Sequence, residues 1–336
     1  MWNERYGIDW KQQKDILFDR REVDSIPRLL AKLSELKKQG FYFRGQSDAC
    51  FRVTSSIQRA WHKDENWRKR ADDLCFREFS TDLVNFAKNR LSAKWKISSL
   101  TDHEIWGYLQ HYYCPTPFID FSFEPLVALH FATSHARTDG GYCSIYAMAP
   151  GEYAKGQWGD FVYLESFLQE AYRERASSNN LPDTVDKWSI PEASFKFWGF
   201  LDKHDGGSVD ALGMPKDGIA ILIVKDFSKW HREVVTKRLK KQKGLFVYAP
   251  IEEESLEDFI FQKNRRINPD CDEGFAYQRM KCFDIPGRLV EEARRWVAGA
   301  KISDSSLCLD PCKEENSVKE MYGECLNSYG GDGRPT

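Results

Sequence analysis

The sequence predicts an α+β fold, a small mixed or antiparallel sheet flanked by helices and carrying a partly helical insertion. Three observations lead there. Segments that read as strands are short, and the helical stretches between them are uneven, unlike the regular alternation of a parallel α/β sheet. No Gly-rich phosphate turn follows the first strand, which argues against a doubly wound nucleotide fold. With 41% hydrophobic residues in a chain of 336, there is enough apolar surface to bury a sizeable core, and wholesale disorder is excluded.

Residues 1–25 read as an N-terminal extension. A helix is expected over 25–39: Ser25 can cap it, Pro27 suits a first turn, and Ile26, Leu29, Leu30, Leu33 and Leu36 share one face. Gly40 ends it, and Phe41 to Gly45 form a short aromatic strand running into a turn. Residues 64–93 and 102–112 read as helices, and 118–121 as a brief buried strand. Pro125 opens the next helix, over 126–132, and a strand follows at 144–148. Residues 151–217, rich in Gly, Trp, Asp and Ser, read as an insertion with helices near 163–175 and 192–201, a candidate lid. Strands are expected at 218–224 and 245–248, separated by the basic stretch 231–243, and helices at 252–265 and 287–299. The main domain spans 26–311, and 312–336 is expected to be a flexible tail.

Lys and Arg number 49 against 51 acids, a net charge of −2, so global charge gives no reason to expect nucleic acid or membrane as partner. No run approaches the roughly 18 apolar residues that a membrane span requires, and the first residues have no signal-peptide core. Nine cysteines without a C-x-x-C pair point to free thiols. A structural metal is not expected, and the chain reads as soluble and cytoplasmic.

Three constellations carry candidate chemistry. Phe43-Arg44-Gly45-Gln46 places a permanently charged guanidinium at a strand end, beside a glycine that allows close approach to the backbone. The structural alternative is an arginine paired with a buried carboxylate. Gln110-His111-Tyr112-Tyr113 leads through a Pro-x-Pro turn to Asp120 and Ser122, just before a helix. His111 could act as acid or base, or bond a ribose hydroxyl, with the tyrosines as an aromatic wall; equally, His111, Asp120 and Ser122 could be helix caps. Arg238 to Phe246 reads as a basic turn entering a strand, able to grip phosphates or simply to be a solvated face.

In this order the three motifs resemble the FRG domain, through Phe43-Arg44-Gly45-Gln46, Gln110-His111-Tyr112, Pro115-Thr116, Asp120, Pro125 to Leu129, Phe131-Ala132, then Arg238, Gln242, Gly244 and Phe246. The chain departs from the family pattern with Tyr113 for a glycine, Pro117 for an arginine, Phe121 for tryptophan, Ser122 for threonine and Glu124 for asparagine. A second resemblance is to NAD-using ADP-ribosyltransferases: a strand arginine, then a strand ending in serine before a helix. It implies NAD as substrate, with Arg44 holding its phosphate or ribose and Ser122 orienting the nicotinamide ribose; His111 or Asp120 would stand in as catalytic groups, and the motifs add Gly45, Gln46, Tyr112, Arg238 and Gln242 as candidates for holding the nucleotide. The implied activity is ADP-ribosyl transfer to a nucleic acid or protein acceptor, or NAD glycohydrolysis, in an effector of toxin or defence type. The late-strand glutamate of those enzymes has no counterpart at Gln242-Lys243-Gly244. The alternative is a non-catalytic nucleotide- or nucleic-acid-binding module, or a protein-interaction module.

Overall fold

The computed structural model describes residues 3–63, 83–91, 102–148, 161–163, 219–222, 233–248, 254–267, 280–307 and 313–328. In chain order these form α1 (Trp10–Leu17), β1 (Phe18–Glu22), α2 (Ile26–Lys38), β2 (Tyr42–Gln46), α3 (Ser56–Lys63), α4 (Asp102–His111), β3 (Phe118–Ser122) and α5 (Pro125–Thr133). Then come β4 (Tyr142–Met148), β5 (Phe161–Tyr163), β6 (Ile219–Leu222), α6 (Glu233–Gln242), β7 (Gly244–Tyr248), α7 (Leu256–Ile267), β8 (Met280–Pro286), α8 (Gly287–Gly299) and α9 (Lys313–Ser328). The described strands join one eight-stranded sheet in the order β1-β8-β4-β2-β3-β7-β6-β5. Pairs β1/β8 and β5/β6 are parallel and the others antiparallel, so the sheet is mixed and the fold is α+β.

The sheet has an apolar layer on each face. On one, α2, α5 and α8 bury Ile26, Leu33, Leu36, Leu129, Val290 and Val297 against Phe43, Ile145 and Phe283. On the other, α7 supplies Leu256, Phe259 and Ile260 to a cluster with Tyr6, Phe18, Tyr42, Phe121 and Tyr146, and Trp10 of α1 packs at its margin. Strand residues alternate between the layers: Tyr42 goes to the second and Phe43 to the first.

Gly45 sets how closely α5 lies on the sheet. A Cβ at this position would stand 1.8 Å from the carbonyl oxygen of Ala128 and 2.5 Å from the backbone nitrogen of Ala132. Real Cβ atoms do not approach backbone so closely, so the glycine is required by the helix rather than by a ligand. Ala128 and Ala132, small residues one turn apart, form the matching face of α5.

The N-terminal residues, read from sequence as an extension, are part of the sheet and its core. Lys14 of α1 is fully buried, and its Nζ donates to Asp284 Oδ1 (2.5 Å) and Ser144 Oγ (3.0 Å). Arg20 Nε donates to the other Asp284 oxygen (2.5 Å). One buried carboxylate thus joins α1, β1, β4 and β8.

Other expectations change as well. Residues 233–242, inside the stretch read as basic and ending in a turn, are helical to Gln242. Residues 313–328, expected within a flexible tail, form α9 and bury Val318, Met321 and Cys325. Ser25 precedes α2, but its side chain makes no capping bond. Apart from β5, the expected insertion at 151–217 lies outside the described residues, as does most of the 64–93 helix. No described helix is long and apolar enough to cross a membrane.

These contacts set two measurable stability effects. Gly45→Ala should destabilise the protein by about 3 kcal/mol or more, since backbone must move to admit the methyl group; a denaturant midpoint close to wild type would contradict this. Glu257, buried at the start of α7, accepts a hydrogen bond from the Tyr6 hydroxyl, and burial raises its carboxyl from 4.5 to about 7. Because its folded-state value lies above the unfolded one, the stability it contributes is present below about pH 4.5 and is lost as pH rises through 7. Wild type should therefore lose up to about 3 kcal/mol relative to Glu257→Gln between pH 5 and pH 8. Parallel pH profiles for the two proteins in urea would count against it.

Candidate functional site

The centre of the sheet is split. β2 pairs with β4 over five positions and β3 pairs with β7 over five, yet β2 and β3 meet at Phe43 and Ser122 alone. Past that point Arg44 bridges the gap, its Nη1 donating to the main-chain carbonyl of Asp120 (2.8 Å). A side chain here takes the place of a ladder hydrogen bond. Its Nε is out of solvent contact and has no hydrogen-bond partner among the described atoms. Burial lowers the pKa of Arg44, and the nearby charges of Asp120, Tyr146 and Glu257 oppose that shift.

Polar side chains line both sides of the split. Asp120 is exposed, and its Oδ2 accepts from Gln110 Nε2 (2.7 Å) at the end of α4. Gln110 Oε1 in turn accepts from the Thr116 hydroxyl. The first turn of α3 closes the other side: Ser56 Oγ accepts from the Thr116 amide (2.9 Å), and the Ile57 amide donates to the Thr116 carbonyl (3.1 Å). That helix brings in Arg59, whose Nη1 donates to the carbonyl of Thr54 (2.7 Å). Burial lowers the pKa of Arg59, and so does the positive charge of Arg44, against Glu4 and Asp120. Two half-buried guanidiniums therefore share one exposed carboxylate, Asp120, at the mouth of the split.

The other residues singled out from sequence sit elsewhere or are engaged in holding the fold. Gly45 lies against α5. Gln46 Nε2 donates to the carbonyl of Phe51 (2.7 Å) and holds the loop after β2. Ser122 Oγ donates to the Gln242 carbonyl (2.7 Å) and accepts from the Glu124 amide (2.9 Å), so it ties the β3–α5 turn to the end of α6. Gln242 Nε2 reaches the carbonyl of Leu307 (3.3 Å). His111, the last residue of α4, is 9% exposed. Burial and the Arg238 guanidinium hold its imidazole down at about 3, so the ring is neutral near pH 7.

Arg238 serves the end of that helix. It donates to the His111 carbonyl and, through Nη2, to the Tyr113 hydroxyl (2.8 Å), with its guanidinium 4.9 Å above the Tyr113 ring. Cations at helix C-termini satisfy carbonyls that have no helical partner. Tyr113 itself has φ 61°, the left-handed region, which explains why glycine is the residue expected there. Of the two tyrosines expected to form an aromatic wall, Tyr112 is buried beside Tyr108 and Tyr113 is exposed. Lys240 and Lys241 are exposed, while Lys243 pairs with Glu124 (2.9 Å), as Lys37 does (2.7 Å).

The structure thus brings Arg44 and Asp120 together and adds Gln110, Thr116 and Arg59, to which sequence reasoning assigned no role. Arg59 sits in a helix with no motif of its own, and only the fold carries it to Arg44. Among the described residues no group of three or more His, Cys, Asp or Glu side chains is placed to hold a metal ion.

No curated protein and no solved structure matches this chain. Residues 39–140 match the family model described as the FRG domain, a span that runs from the end of α2 to the turn before β4 and contains Arg44, Arg59, Gln110 and Asp120. The tripeptide Phe43-Arg44-Gly45 lies at the heart of that span, with Phe43 in one core layer, Arg44 bridging the split and Gly45 under α5. Residues 39–140 of the chain therefore carry an FRG domain.

Proposed function

We propose that the split between β2 and β3 is a binding site for a phosphate-bearing ligand of nucleotide type. The observation that carries this reading is the pair of half-buried guanidiniums, Arg44 and Arg59: Arg44 Nε has no hydrogen-bond partner among the described atoms, the charge of Arg44 adds to burial in lowering the pKa of Arg59, and the exposed Asp120 carboxylate acts on both. An anion seated between them would relieve that repulsion, and guanidinium forks suit phosphate oxygens. Asp120 and Gln110 at the rim supply an acceptor and a donor for sugar hydroxyls. The family pattern's arginine is replaced by Pro117, but Arg59 enters from the helix bonded to Thr116, one residue away.

NAD is the first nucleotide to test, because the likeness to ADP-ribosyltransferases implies it. Binding is better supported than turnover, since Ser122 Oγ is fully engaged and the His111 ring is buried and neutral. If nicotinamide is released on incubation with NAD, Asp120 is the solvent-facing carboxylate beside the arginines that could support a developing oxocarbenium ion.

Calorimetric titration with NAD, ATP and inorganic pyrophosphate at low salt tests the reading. Arg59→Met should weaken all three by about tenfold or more. Asp120→Asn should tighten pyrophosphate by removing a competing charge, and tighten the nucleotides less, because the amide oxygen left in place is a weaker acceptor for sugar hydroxyls than the carboxylate. Affinity should fall as salt rises. No binding at millimolar ligand, or affinities indifferent to Arg59, would remove the proposal.

A further inference from the structure

The N-terminal segment reaches the same split from outside. Arg5 forms an antiparallel bridge with Phe51, the Tyr6 amide donates to the Cys50 carbonyl (2.8 Å), and the Arg52 amide donates to the Glu4 carbonyl (2.9 Å). Tyr6 is buried, with its hydroxyl on Glu257 and the Arg52 guanidinium 4.6 Å over its ring. The backbone of residues 4–6 is therefore fixed, and it delivers one carboxylate to α3. Glu4 Oε1 lies 3.7 Å from Arg59 Nε, and Oε2 lies 3.6 Å from Lys63 Nζ. Its side chain is 19% exposed. Neither contact is short enough to be a hydrogen bond, so Glu4 neutralises Arg59 without saturating it.

We propose that Glu4 is a resident anion of the site, holding Arg59 when no ligand is present and giving it up to an incoming phosphate. This rests on the reading of the split given above. The exchange needs only a side-chain rotation about an anchored backbone, because the strap is held by main-chain bonds and by Tyr6 rather than by the carboxylate. It also sets a threshold for ligands. Whatever takes Arg59 must displace a carboxylate already in place, so a phosphate with two charges removes Glu4 where a single carboxylate does not. Glu4 is then a specificity-determining residue that screens out common carboxylate metabolites.

A double-mutant cycle on the full chain tests this, with inorganic pyrophosphate as probe and calorimetry as readout: wild type, Glu4→Gln, Arg59→Met and the double variant. Glu4→Gln should bind pyrophosphate about fivefold tighter than wild type, and the gain should vanish in the Arg59→Met background. Both Glu4 variants should keep the urea midpoints of their parents, since the strap's main-chain bonds remain. If wild type binds but Glu4→Gln binds equally, the gate is wrong and the site stands. The gate is equally wrong if the gain survives without Arg59, because a general field effect would then be its source. If neither wild type nor Glu4→Gln binds pyrophosphate, the site itself fails and the gate falls with it.

Discussion

The contact between α5 and Gly45 governs much of the rest of the structure. Because the helix backbone rests on the strand backbone, with Ala128 and Ala132 turned down, one face of β2 is closed to anything larger than hydrogen at that position. Arg44, the preceding residue, must then point to the opposite face by strand alternation. There it finds a sheet whose neighbouring strand has already parted, and the carbonyl of Asp120 within reach. The same seating fixes the entry to α5, where Ser122 joins the Glu124 amide to the end of α6. Packing on one face thus determines which charge is presented on the other.

A second constraint acts at the far side of the sheet. Asp284 is fully buried and accepts from Lys14, Arg20 and Ser144. Burial opposes the charge on both Lys14 and Asp284; Cys282, Tyr146 and Asp284 more than offset it for the lysine, and Lys14, Ser144 and Arg20 do so for the carboxylate, leaving the lysine raised and the carboxylate lowered. Such networks tolerate loss of one member poorly, since the remaining charge is stranded in apolar surroundings. Here the network fastens the N-terminal helix and strand, and with them the strap that carries Glu4, onto the β4–β8 half of the sheet.

Much of the architecture was legible from residue patterns. The amphipathic helix ending at Gly40, the aromatic strand after it, the Pro125 helix and the 287–299 helix appear where periodicity and punctuation place them. What escaped has physical reasons. β1 reads Phe-Asp-Arg-Arg-Glu, an edge strand whose charges face solvent and Asp284, so apolar alternation is absent. β8 follows residues without clear pattern and is buried along most of its length, where no alternation is required. Motif reading singled out Arg44 and Asp120, which the fold brings together, and also Ser122 as catalytic and Gly45, Arg238 and Gln242 as ligand contacts, residues whose packing and bonds hold α5, the β3–α5 turn, the end of α4 and the Leu307 carbonyl. A short motif records that a residue is needed, and only its surroundings distinguish a ligand from a helix. Arg59 and Glu4 were invisible because each matters only through a neighbour distant in sequence.

The strand order has a practical meaning for how this domain is delimited. The matched span 39–140 contributes β2 and β3, which sit in the middle of the sheet, while their outer neighbours β4 and β7 come from later in the chain. A fragment cut at those limits would expose two unpaired edges and would leave Phe43 and Phe121 without the layers contributed by α8 and α7. The recognisable signature is thus the keystone of this fold and not a module that could be transplanted.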